Sequence, residues 1–195
     1  MKRRTIRQLV RVEPPKIKGS RFLATLGPAR TEDEAKALLA EVRAEMPDAT
    51  HHVFAWRIDP STTRADDDGE PSGTGGKPLL ARLEGHDLEQ VAVVVTRYYG
   101  GTKLGTGGLV RAYGGAASAA IDAAEVVEEV VRIRVSLRCS HGLVGPLQGV
   151  AARHEGEVSM EWTTPPTVHI DVPLGGEDAL WEELVERAAG QVDRC

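Results

Sequence analysis

The chain has 195 residues, 41% of them hydrophobic, enough to bury one moderate core or two small ones. No apolar run approaches the roughly 20 residues of a membrane helix, and the basic start Met1-Lys2-Arg3-Arg4-Thr5-Ile6 leads into no apolar signal segment, so a cytoplasmic protein without membrane contact is expected. The formal net charge of −5 argues against indiscriminate coating of nucleic acid, because counterion release needs clustered Lys or Arg. Cys139 and Cys195 form neither a Cys-x-x-Cys pair nor a zinc spacing and read as two reduced thiols, which argues against a structural disulfide or a metal site.

Residues 5–12 alternate loosely up to Pro14-Pro15, and residues 21–26 resume an extended pattern after Gly19, which predicts two strands joined by a turn. Thr31 opens a helix: it can cap the first turn, Glu34 follows three residues later as in a capping box, and Ala35, Leu38, Leu39 and Val42 recur at helical spacing up to Met46-Pro47. Residues 51–58 read as a strand with Val53 and Ala55 on one side, Arg57 as a further candidate there, and His52, Phe54 and Trp56 on the other. The adjacent His51 and His52 therefore point to opposite faces and cannot act as one pair; one of them is expected inside and hydrogen-bonded. Residues 78–83 predict a short helix with Pro78 in its first turn.

Residues 91–95 are apolar on both faces, as in a central strand covered on each side. This strand delivers a glycine-rich loop onto a helix, with Thr106 as candidate cap and Leu109, Tyr113, Ala117, Ala120 and Ala124 as a stripe of mostly small residues facing the sheet. Residues 122–129 are acidic and mark a boundary, dividing the chain into domains 1–126 and 127–195. Beyond it come an alternating strand at 130–137, a helix from about 141 to 154, strands near 158–162 and 167–172, and a helix at 177–189. That β-α-β-β-α order is compatible with a ferredoxin-like sandwich.

The chemistry concentrates in two glycine-rich loops. The first reads Asp66-Asp67-Asp68-Gly69-Glu70-Pro71-Ser72-Gly73-Thr74-Gly75-Gly76-Lys77-Pro78, and the second Thr96-Arg97-Tyr98-Tyr99-Gly100-Gly101-Thr102-Lys103-Leu104-Gly105-Thr106-Gly107-Gly108-Leu109-Val110-Arg111-Ala112-Tyr113-Gly114. A P-loop is excluded by Pro71 at its first glycine and Pro78 at its hydroxyl position, and dinucleotide fingerprints starting at Gly73 or Gly105 fail at Pro78 and Val110. What remains is a strand, glycine loop and helix that either holds an anion or forms an architectural corner. If an anion binds, the amides of Gly105, Thr106, Gly107 and Gly108 face it, while Lys77, Arg97, Lys103 and Arg111 supply charge.

The acidic residues Asp67, Asp68 and Glu70, with Asp66, either brace the neighbouring basic loop or hold magnesium through retained waters; an EF-hand is excluded by spacing, which puts Arg64 and Gly75 at ligand positions. Ser72 lacks a hydrolase elbow, and Cys139-Ser140-His141 are too close in sequence to form a working dyad. Tyr98, Tyr99 and Tyr113 are candidates either for stacking on bases or for core and loop packing. Lys16, Lys18, Arg21, Arg57, Lys77, Arg97, Lys103 and Arg111 all fall in the first 120 residues, so a binding face belongs to the first half.

These loops, with the segments Lys18-Gly19-Ser20-Arg21-Phe22 and Ala49-Thr50-His51-His52-Val53-Phe54-Ala55-Trp56-Arg57, closely resemble the Impact/YigZ family over most of residues 15–120. Val53 stands where many members carry Cys, which counts against a thiol role there. The resemblance implies an α+β protein: a two-layer domain like the second domain of ribosomal protein S5 and a domain of translocation-type elongation factors, followed by a ferredoxin-like tail. It brings no established catalytic activity with it. The expectation is a non-enzymatic, translation-associated or regulatory protein that binds RNA, a ribosome or a translation factor through its N-terminal domain. The alternative is an enzyme or sensor for a phosphorylated small molecule or nucleotide at the second glycine loop. No catalytic residue, metal ligand or cofactor is assigned.

Overall fold

A computed structural model describes residues 1–195. In chain order the first elements are β1 (Lys2–Ile6), β2 (Val10–Val12), β3 (Arg21–Pro28), α1 (Glu32–Glu45), β4 (His51–Arg57), β5 (Thr63–Asp66), α2 (Gly76–Gly85), β6 (Val91–Tyr98), α3 (Thr106–Ala123) and β7 (Val126–Val130). They are followed by β8 (Arg132–Arg138), a 3-10 turn (His141–Leu143), α4 (Val144–Arg153), β9 (Glu157–Glu161), β10 (Thr167–Pro173), α5 (Glu177–Arg187) and β11 (Asp193–Arg194). The chain separates into two compact units, Arg3–Glu129 and Val130–Cys195, the latter joined by Met1–Lys2.

In the Arg3–Glu129 unit a five-stranded antiparallel sheet runs in the order β2-β3-β6-β4-β5. β6 is central because Val91, Val93 and Val95 feed one face and Ala92 and Val94 the other, so both faces can be dry. Beneath one face α2 and α3 supply Leu79, Leu83, Leu109, Ala112, Tyr113, Ala116, Ala117 and Ala120, the small residues allowing close approach. On the other, α1 packs Ala35, Leu38, Leu39 and Val42 against Phe54, Trp56 and Val94. The α+β class stands, and α1 adds a layer to the two expected, because the even residues of β4 are as apolar as the odd ones. Arg57 does share the Val53 and Ala55 side, where it donates to the Leu88 carbonyl at 3.0 Å.

Several local expectations change. The Thr31 hydroxyl accepts from Glu34 N, but the Glu34 carboxylate reaches back to Arg30 N rather than to Thr31, so the capping box is shifted by one residue. Residues 5–12 are not one strand: β1 ends at Ile6 and pairs with β7, a strand inside the acidic stretch expected to be a mere boundary. α3 is capped by Gly105, and Thr106 is its first residue.

The second unit carries a sheet in the order β11-β8-β10-β9, antiparallel throughout, with α4 and α5 on one face. This is the ferredoxin-like arrangement, completed by the short β11 that the sequence pattern did not reveal. Val135, Leu137, Val168, Ile170 and Val172 point to the helices and meet Leu147, Val150, Leu180 and Leu184. The other face is polar, with the Arg134 guanidinium donating to both Asp171 carboxylate oxygens.

Candidate functional site

The first glycine loop is held together by its own carboxylates. Asp67 accepts the amides of Gly73, Gly75 and Gly76 at 2.7–2.8 Å, which caps α2 from nine residues upstream where no neighbouring side chain does. Burial pushes the Asp67 carboxyl up, but the amides of Gly73, Gly76 and Gly75, helped by Lys77, outweigh it and hold it below the usual aspartate range. Asp68 accepts from the His52 amide and the Arg43 guanidinium, both at 2.6 Å. Asp66 accepts from Asp68 N. These carboxylates thus brace the loop, and no group of three His, Cys, Asp or Glu gathers to hold a metal.

Glu70 ties the two loops together. Its side chain is 4% exposed, and one oxygen accepts from Arg97 Nη1 at 2.5 Å and from the Tyr113 hydroxyl at 2.7 Å. Burial, with the Glu70 carboxylate beside it, pushes the Tyr113 hydroxyl far above its ordinary range, so it stays a donor. Arg97 is 5% exposed and also donates to Ser20 Oγ at 3.4 Å. The structure changes the part expected of Arg97: its charge is matched by Glu70, so it frames the site without adding net charge to it.

The second loop leaves β6 through Gly100, which lies against the Gly19-Ser20 backbone; a methyl there would sit 1.9 Å from the Gly19 carbonyl carbon. This contact brings the exposed Lys18 beside the loop. Gly105 takes φ +73°, a conformation glycine tolerates, and turns the chain into α3. The first intrahelical bond runs from Leu109 N to Gly105 O, leaving the amides of Thr106, Gly107 and Gly108 without helical partners at the positive end of an 18-residue helix.

A cavity of about 540 Å³ opens at this corner, and of the expected residues Glu70, Arg97, Lys103, Gly105 and Thr106 line it. Gly107, Gly108, Arg111, Lys77, Asp67 and Asp68 do not. Arg111 lies back along the first turn of α3, with Nη1 3.7 Å from where a Gly107 side chain would begin, and Lys77 lies beside the first loop against Gly73. The cavity wall also includes Thr50, His51 and Tyr99, which the sequence reading did not join to it. His51 had a legible signal: it shares the parity of Val53 and Ala55, the face that α2 and α3 cover. Its Nδ1 lies 2.7 Å from the Asp68 carbonyl. His52 is the inner histidine, its Nε2 3.1 Å from the Met46 carbonyl; burial depresses its pKa.

The three tyrosines divide. Tyr113 is core, and Tyr98 contacts Asp48 at 3.3 Å with Arg21 over its ring. Tyr99 is 47% exposed, its amide bonded to Thr50 Oγ1 and its ring 5.4 Å from the Arg97 guanidinium carbon. Elsewhere, no helix is long and apolar enough to cross a membrane.

Fold and corner together define a two-unit α+β protein with a glycine-loop cavity in its first unit. The family model described as the Impact N-terminal domain matches residues 18–121. An IMPACT family member of Haemophilus influenzae is 35% identical over 182 residues, covering 90% of this chain and 88% of its own length. Another from Thermus thermophilus is 46% identical over 165 residues, covering 83% and 88%. A crystal structure described as that of a hypothetical protein superposes with a TM-score of 0.77 at 31% identity, over 99% of this chain and 96% of that one. The chain belongs to the IMPACT family.

Proposed function

We propose that the Arg3–Glu129 unit is a non-enzymatic, translation-associated binding module that engages RNA at the corner between β6 and α3. The observation that carries this reading is the meeting, around one cavity, of Thr106, whose amide at the start of α3 has no helical partner, the exposed Lys103 and the exposed ring of Tyr99. Phosphate suits the first two and an unstacked base the third. Lys18 and Arg111 flank the corner, and neither they nor Lys103 is committed to an ion pair. The fold's likeness to domains of ribosomal protein S5 and elongation factors favours RNA or a ribosome as the setting, an argument by analogy.

The test is fluorescence anisotropy with a labelled single-stranded RNA across a salt series. Affinity falls steeply with salt, and Lys103→Glu combined with Arg111→Glu lowers it at least tenfold while the melting temperature stays within a few degrees. Binding indifferent to salt and to both changes would falsify the reading. A second reading rests on the cavity volume of about 540 Å³, which falls within the ~300–1,000 Å³ of small-ligand sites: an enzyme or sensor for a phosphorylated small molecule. Saturable nucleotide binding with turnover, and no RNA binding, selects it.

A further inference from the structure

We infer that the cavity accepts one unstacked ribonucleotide and distinguishes RNA from DNA, with His51 Nε2 accepting the ribose 2′-hydroxyl. This rests on the RNA-binding reading above and adds which nucleic acid and which atom. The starting point is a tautomer. The Asp68 carbonyl can only accept, so the 2.7 Å contact with His51 Nδ1 places the proton on Nδ1. In the neutral ring Nε2 is then a bare acceptor. Its charged neighbour is Glu70 Oε1 at 3.9 Å, itself an acceptor and beyond hydrogen-bonding distance, so the protein gives Nε2 no donor. A ligand in the cavity that carries a hydroxyl supplies one.

The position of His51 selects which hydroxyl. Thr50, its chain neighbour, is bonded to the Tyr99 amide at 3.0 Å, while Glu70 beside His51 is bonded to Tyr113 of α3 at 2.7 Å. His51 shares the wall of one cavity with Tyr99 and with Lys103, Gly105 and Thr106 at the start of α3. In a nucleotide whose base stacks on Tyr99 and whose phosphate meets α3 and Lys103, the intervening group is the sugar. Arg97, directly opposite His51 in register on β6, also lines the cavity, with its charge already matched by Glu70. The 2′-hydroxyl is the group by which a protein tells RNA from DNA.

The experiment uses the full chain at pH 8 and three single-stranded oligonucleotides of one sequence: RNA, DNA and 2′-O-methyl RNA. RNA is expected to bind about tenfold more tightly than DNA, as for one satisfied hydrogen bond, and the 2′-O-methyl form to bind like DNA because its donor is gone. His51→Leu lowers RNA affinity to the DNA level measured with the same variant, with a melting curve as the folding control. The methylated oligonucleotide needs no variant, so a destabilised His51→Leu does not shield the proposal. Equal, salt-dependent binding of RNA and DNA overturns this inference and leaves the RNA-binding reading standing. An RNA preference that survives 2′-O-methylation also overturns it, and binding of none of the three overturns both.

Discussion

Removing the Glu70 carboxylate tests the arrangement at the corner most directly. In Glu70→Ala the Arg97 guanidinium keeps its burial, 5% exposed, but loses its counter-charge at 2.5 Å, and the Tyr113 hydroxyl loses its acceptor. Breaking one side of a buried ion pair costs about 3–5 kcal/mol, and the orphaned hydroxyl belongs to the same network, so its ~1–3 kcal/mol overlaps with that figure instead of adding to it. At about 4 °C per kcal/mol for a domain of this size class, the melting temperature of the Arg3–Glu129 unit should fall by roughly 12–20 °C. Differential scanning calorimetry at neutral pH reads it. The companion variant is Glu70→Ala with Arg97→Met, which removes both charges; it should melt above Glu70→Ala because no uncompensated charge remains inside. A single-variant loss below about 4 °C, or a double variant whose loss is the sum of the two singles, would refute the buried-pair account.

Two further outcomes follow from the loops. Gly100→Ala should cost on the order of 3 kcal/mol or more and expose the unit to unfolding, since its methyl meets the Gly19 carbonyl carbon at 1.9 Å; Gly107→Ala, whose methyl meets nothing nearer than Arg111 Nη1 at 3.7 Å, should keep its melting temperature within a few degrees. Asp67→Asn should destabilise by about 0.5–2 kcal/mol at pH 7, as for loss of a helix cap. The folded Asp67 titrates below its unfolded value of about 3.9, so its contribution is complete above that pH and disappears as pH falls through the depressed folded value. Urea melts of the unmodified protein and Asp67→Asn should therefore run apart in parallel from pH 7 to about 5 and converge below about 4. A gap that is unchanged at pH 3 would show that the three amide bonds are not its source.

The sequence by itself determined what is local. Thr31 caps α1 because its hydroxyl and the Glu34 amide are three residues apart, and Val91 to Val95 declare a doubly covered strand because apolar residues fill both parities. Glycine spacing and the strand-to-helix order likewise exposed the corner before any contact was known. Tertiary structure decided everything that joins distant segments. Arg97 reads as a free cation until Glu70, 27 residues earlier, is found against it, and Gly100 is indistinguishable from Gly107 until Gly19 arrives at its surface. β1 and β7, each only five residues long, become strands by pairing with one another across most of the first unit. His51 enters the cavity wall because β4 lies beside β6, opposite Arg97 in register, and because a backbone carbonyl at Asp68 fixes its proton. The physical reason is common to all four: periodicity, and the cap on α1, are set by neighbours within a turn or two of chain. Burial of charge, close backbone approach and tautomer are set by whatever folding places on the other side.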